Sequence, residues 1–212
     1  MMIEQIKNIL KFNRKSKEKT VQDEIDEMFD SLGIDELKIT VGEDLVPFGE
    51  DLCTGVRDLR KKLKAKTGLI IPAVRIIDSC EIQENEYQIS IQDKQVFNGF
   101  TVPKEDYAVN EIIANLEKEC IKNVELVMSN ELTEKYMETV QRANGWLVCY
   151  LSRLIPPTGI KIILSDLIRH GKSINNINYI FEKICEVATK DKDMYSIRDP
   201  HKIARELNLE IK

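Results

Sequence analysis

The side chains here that could do chemistry are two histidines, five cysteines, one pair of carboxylates and a dense run of cations. Acyl-transfer or hydrolytic chemistry needs a nucleophile, a base and an oxyanion donor that converge. His170 closes a long apolar stretch just before Gly171, where a histidine satisfies the last carbonyls of a helix and its negative end. His201 follows Pro200 near the C-terminus, in a region expected to be peripheral. Asp78 and Glu86 would form a carboxylate pair, but Arg75 stands beside them, so an ion pair is their expected use. The guanidinium is predicted to contact one or the other. No Walker A, G-x-G-x-x-G, G-x-S-x-G or H-E-x-x-H pattern occurs. Cys53, Cys80, Cys120, Cys149 and Cys185 lie 27 to 40 residues apart, with no C-x-x-C spacing. That is unlike a zinc site and suits reduced thiols serving as small apolar residues. The expectation is therefore no enzyme, no cofactor and no metal.

Arg57, Arg60, Lys61, Lys62, Lys64 and Lys66 form the densest basic cluster outside the N-terminus. The four lysines load the end of a predicted helix, where cations complement its negative end. A net charge of −5 and a pI of 5.3 give no general signal for nucleic acid. No apolar run approaches the roughly 20 residues of a membrane span. The first residues carry Glu4 and Lys7 inside their apolar stretch, so they lack a signal-peptide core. Cytoplasm is the default location.

The elements that must position these groups centre on residues 68–92. Tyr87, Ile89 and Ile91 alternate with polar neighbours, which places them on one face of a half-buried strand. The β-branched run from Leu69 to Ile77, interrupted by Pro72, reads as a strand covered on both sides. The short polar stretch 79–86 between the two predicts a hairpin with a long turn. Leu37, Ile39 and Val41 alternate as an earlier strand, and residues 95–97 as a brief later one. Helices are predicted over 51–66, with the stripe Leu52, Val56, Leu59, Leu63 and Gly68 as cap, and over 107–122. Residues 37–122 thus read β-α-β-β-(β)-α, an α+β domain of RRM or ferredoxin-like plan with helices on one face. An RRM stacks bases on aromatic residues of its sheet, and these strands offer only Tyr87 and Phe97.

Residues 123–190 form a helical domain, with helices predicted over 133–144, 147–154, 158–170 and 174–189, the last capped by Ser173. Residues 191–212 form a tail with a short helix near 201–207. Trp146, the single tryptophan, is expected to anchor the core or an inter-domain contact. Ahead of the sheet, residues 1–36 form an arm. Residues 1–19 are basic, with Ile3, Ile6, Ile9 and Leu10 on one helical face, which permits a helix lying on a membrane surface, although a solvated arm packed on its own domain is the favoured reading. Residues 20–36 carry only acids, and Val21, Ile25, Met28, Phe29 and Leu32 make an apolar stripe that must bury against the domain or a partner.

The stretch PAVRIIDSCEIQENEYQISI resembles the P-x-V-R-I-x-D … N-E-Y-x-I-x-I segment of the FlhA/InvA (FHIPEP) export-gate family, in its cytoplasmic domain. LKITVGEDLVPF, DLCTGVRDLRKKLKAKTG and GFTVPKEDYAVNEIIANLEKE resemble the flanking family patterns. Pro72, Arg75, Asp78, Glu86 and Tyr87 are the motif positions. Between the family's strand end and its G-Y-T-V segment this chain is short: Val96-Phe97-Asn98 runs straight into Gly99-Phe100-Thr101-Val102. The resemblance implies a non-enzymatic protein-docking module of flagellar or type III secretion, whose partners are secretion substrates, chaperones or export-apparatus components. The alternative is a repurposed regulatory or structural interaction domain, self-associating as a homo-oligomer or bound to a membrane surface. Lacking the family's eight membrane helices, the chain would not itself be a gate.

Overall fold

The computed structural model describes residues 35–190 and 199–211; residues 1–34 of the arm, with its apolar stripe, lie outside them. Four strands, β1 (Leu37–Val41), β2 (Val74–Asp78), β3 (Glu86–Ile91) and β4 (Lys94–Phe100), form one mixed sheet in the order β2-β1-β3-β4. β1 pairs in parallel with β2 and antiparallel with β3, with Ile39 opposite both Ile76 and Ile89. The expected hairpin of β2 and β3 is therefore not formed, because β1 lies between them. A strand followed by a helix and a parallel strand must return along the helix, and that crossover places β2 on the outer side of β1. β2 is thereby an edge strand with exposed Arg75 and Asp78, not a strand covered on both faces. Leu69 and Ile71 are fully buried, but outside any strand.

A 3-10 helix (Glu43–Phe48) leads into α1 (Gly49–Thr67), and β4 leads into α2 (Glu105–Lys122). The predicted stripe Leu52, Val56, Leu59, Leu63 is the buried face of α1. It meets Leu37, Ile39, Val41, Tyr87, Ile89 and Ile91, the alternating residues of β1 and β3, all buried. The fold is α+β, as its sequence pattern implied. The opposite sheet face carries Lys38, Thr40, Gln88 and Ser90, with Phe100 of β4 its one exposed aromatic among the described strands, where an RRM stacks bases on several.

The helical part comprises α3 (Val124–Val127), α4 (Asn130–Ala143), α5 (Gly145–Leu154), α6 (Pro157–Arg169), α7 (Ile177–Lys190) and α8 (Pro200–Glu210). The apolar α6 is its centre, with Ile160, Ile163, Leu164, Leu167 and Ile168 buried and α4, α7's neighbour α8 and α3 packed round it. α7 begins three residues later than predicted. Asn176 Oδ1 accepts from Tyr179 N–H at its start, while Ser173 Oγ accepts from Asn175. One buried core runs from the sheet through α2 into these helices. Among the described residues, no single helix is long and apolar enough to cross a membrane.

Two close approaches hold the sheet ends. Gly42 lies under the 79–86 loop: its N–H donates to Glu86 O at 2.9 Å, and a Cβ there would sit 2.0 Å from Gln83 O. Its φ of −75° is ordinary, so glycine is needed for room. Gly68 ends α1 at φ 81°, in the left-handed region, with Ile174 and Asn175 packed against it.

Candidate functional site

The motif residues divide between two ends and two faces of the sheet. Pro72 lines a cleft of about 280 Å³ with Glu36, Arg60, Ile70, Leu132 and Lys135. Arg75, pointing to solvent from β2, pairs with Asp35 at 3.2 Å, not with Asp78 or Glu86. The reason is period two: residues 75 and 78 point to opposite faces of one strand, and β1 separates Arg75 from Glu86. Asp35 also lies 3.6 Å from Lys38, which bonds Asp93 Oδ1 at 3.0 Å. These four charges join the entry of β1, β2 and the β3–β4 turn, where Gln92 and Asp93 both have positive φ. The Lys38 ammonium holds the Asp93 carboxyl below its usual range.

Glu86 is buried, and three donors satisfy its carboxylate: Gln83 N–H at 3.0 Å, Gln88 Nε2 at 2.9 Å and Asn98 Nδ2 at 2.8 Å. The Gln88 bond first, then Gln83 N–H and Asn98, hold its carboxyl below the ordinary 4.5. Glu86 thus ties the 79–86 loop to β3 and β4. Tyr87 is buried on the helix-covered face, its ring 5.6 Å from Phe97, and its hydroxyl accepts from Asn115 Nδ2 at 2.7 Å. Burial raises its phenol above the ordinary value of 10.0. Such an arrangement positions a loop and a sheet; it presents no nucleophile beside a base.

Elsewhere the side chains depart from expectation in instructive ways. Trp146 is 74% exposed, stacked on Tyr150 at 5.2 Å, and anchors no core. Among the described residues no cysteine forms a disulfide; Cys120 and Cys185 are buried, and Cys53, Cys80 and Cys149 face solvent. Burial pushes the Cys120 thiol up to about 12. His170 Nδ1 lies 2.8 Å from Asp166 O at the end of α6, the helix-terminal place predicted for it.

Tyr136 carries a role its sequence position hid. It reaches from the buried face of α4 so that its hydroxyl donates to Gly68 O at 2.8 Å and accepts from Ile70 N–H at 2.9 Å. A tyrosine in a buried stripe needs a partner for its tip, and that was the available signal.

The surface of the described residues carries clefts and exposed apolar side chains. A model described as the FHIPEP family matches residues 2–121. The flagellar biosynthesis protein FlhA of Bacillus subtilis (strain 168) is 36% identical over 73 residues, covering 32% of this chain. That of Helicobacter pylori is 27% identical over 116 residues, covering 52% of this chain. The matches span 11% and 16% of those proteins, so this chain corresponds to a small part of each. The Chlamydia pneumoniae CdsV protein, in a structure of its complex with CdsO, superposes with a TM-score of 0.67 at 17% identity, over 81% of this chain and 64% of that one. Nonameric EPEC SctV-C gives 0.64 at 14% identity, over 84% and 67%. These two likenesses concern the fold.

Proposed function

The chain belongs to the FHIPEP family, and from that premise we propose that it is a non-enzymatic docking module of a flagellar or type III protein-export apparatus. The observation that carries this reading is the family match over residues 2–121. The fold shared with CdsV and SctV-C extends it over four-fifths of the chain. Within the module, residues 37–122 and 123–190 act as α+β and helical subdomains on one core, and α8 of the 191–212 segment packs on α6 in the second. Pro72, Arg75, Asp78, Glu86 and Tyr87 shape the first of them. Its partners are secretion substrates, chaperones or export-apparatus components, as CdsV meets CdsO. Self-association, as in nonameric SctV-C, is part of the same reading. Val21, Ile25, Met28, Phe29 and Leu32 supply a contact to a partner, and the basic arm places the chain in the cytoplasm at a membrane surface.

One observation favours a repurposed interaction domain instead. β4 runs unbroken from Lys94 to Phe100, where the family pattern implies a longer connection. Tagging the full chain in its own host, identifying co-purified proteins and assaying secretion and motility after deletion tests both. Export-apparatus components together with a secretion or motility defect support the first reading. Neither of them overturns it in favour of the second. Light scattering before and after removal of residues 1–36 tests the arm: an unchanged monomer rules out its assembly role. Failure of the intact chain to bind anionic vesicles rules out the membrane role.

A further inference from the structure

β2 is an outer strand of the sheet and is bonded to β1 alone. Beyond its end, Ser79 N–H donates to Val41 O at 3.0 Å. Alternate residues of a strand in a parallel ladder bond the same neighbour, so Arg75 and Ile77 also turn their N–H and C=O groups to β1. The backbone groups of Val74, Ile76 and Asp78 therefore point away from the sheet. Among the described residues none of them has a hydrogen-bond partner. Such an edge is a template for one more strand.

A charged helix flank overlooks that edge. Gly55 packs against Ile113 of α2, and Lys62 bonds Glu117 of α2 at 2.6 Å, so residues 55 and 62 mark the flank of α1 that faces α2. Arg57, Arg60, Lys61 and Lys64, at i, i+3, i+4 and i+7, occupy the opposite flank, toward β2. They border a depression of about 400 Å³ floored by Ile70 and Ile71, with no carboxylate among its described lining residues. Arg60, Ile70 and Ile71 also line the cleft that holds Pro72 and Ala73, so the depression leads to the start of β2. Among the described residues only Lys61 of the four cations has an ion-pair partner, Asp58 at 3.1 Å. Val74 and Ile76 point to this helix-covered side with Leu37 and Ile39 beside them, half-buried against the core.

We infer that the outer edge of β2 takes an extended segment of a partner protein with acidic side chains at every second position. Its backbone continues the ladder on Val74, Ile76 and Asp78. Alternate side chains of the added strand fall on the helix-covered side, beneath the cations of α1. Arg60 and Lys64 are separated by about 6 Å along the helix axis. Acids two residues apart on a strand are spaced about 6.7 Å, so one carboxylate meets each cation. The residues between the acids lie beside Arg75 and Ile77 on the other face, where β-branched side chains fit a pleated surface. An acidic helix, a lipid headgroup or a nucleic acid matches the charge but leaves the ladder unused, so the open edge favours an extended peptide. This deepens the docking reading and rests on it for the premise that this surface meets protein.

The test uses the full chain and a short capped peptide that alternates valine with glutamate. Binding is followed by calorimetry at about 50 mM salt, where the screening length is about 14 Å. Saturable binding of one peptide per chain is expected. A peptide with lysine for glutamate, and one N-methylated along its backbone, are each expected to bind at least about tenfold more weakly. Amide exchange at Ile76, whose N–H faces outward, is expected to be fast in the free chain and at least about tenfold slower with the peptide bound. Arg60→Glu/Lys64→Glu is expected to lose the glutamate peptide and take the lysine peptide instead, with a circular dichroism spectrum like wild type. Should that double reversal unfold the chain, Arg60→Gln/Lys64→Gln serves and is expected to weaken binding at least about threefold. No saturable binding, unchanged exchange at Ile76 with peptide bound, or a variant that binds like wild type overturns the inference. Slow exchange at Ile76 before any peptide is added means that the edge is already covered, and overturns it too. So does binding of anionic vesicles or single-stranded nucleic acid in place of the peptide. Failure here leaves co-purification with export components untouched, so the two readings fall separately.

Discussion

Replacing Tyr136 by Phe removes one oxygen from the junction between α4 and the segment that leads from α1 into β2. In the native chain that oxygen donates to Gly68 O and accepts from Ile70 N–H, and the residue is only 8% exposed. Each such bond has a net worth of about 0.5–1.5 kcal/mol, and leaving a buried partner unpaired costs about 1–3 kcal/mol. The Gly68 carbonyl carries most of that penalty, since Gly68 is buried, whereas Ile70 lies at the surface and its N–H can turn to water. The expected loss is therefore about 2 kcal/mol. For a domain of this size that lowers the melting temperature by about 4–8 °C. Burial pushes the phenol up to about 12, so Tyr136 stays a neutral donor and the difference should not vary between weakly acid and weakly alkaline solution. Thermal melts of wild type and Tyr136→Phe, with amide hydrogen exchange at Ile70, measure both parts. A melting temperature equal to wild type, with unchanged protection at Ile70, would refute the claim that this hydroxyl clasps the two parts together.

Gly42→Ala forces the 79–86 loop off the sheet, because its Cβ would meet Gln83 O at 2.0 Å. Denaturant titration should show a loss of about 1–3 kcal/mol, and a smaller loss means the loop yields freely. Glu86→Gln should destabilise at neutral pH, since a neutral amide accepts the three hydrogen bonds less well. The folded carboxyl lies below 4.5, so its contribution is present above the unfolded value and is lost as pH falls through the folded one. Wild type and variant melts should accordingly converge in acid, and a gap independent of pH contradicts the assignment. Trp146, 74% exposed, should fluoresce like indole in water and be fully open to acrylamide quenching. A blue-shifted, protected emission at low protein concentration would show that something covers it.

Much of this fold was local and so could be read directly. The alternation of Tyr87, Ile89 and Ile91, the stripe of α1 and the nearly apolar α6 each record, in a few consecutive residues, which side of an element faces the core. The family motif lay in the same short stretch. Strand order was not local. Nothing in residues 68–92 shows that β1, some 30 residues earlier, enters between β2 and β3, because a ladder bonds any backbone of suitable register. That single insertion separated Arg75 from Glu86 and turned a strand expected in the interior into an edge. Side-chain partners made across long sequence distance stayed hidden for the same reason. Tyr136 meets Gly68 and Ile70, and Asn98 meets Glu86, only once the helices and strands have packed. Residue type told that a buried phenol or carboxylate needs a partner, and the tertiary structure decided which.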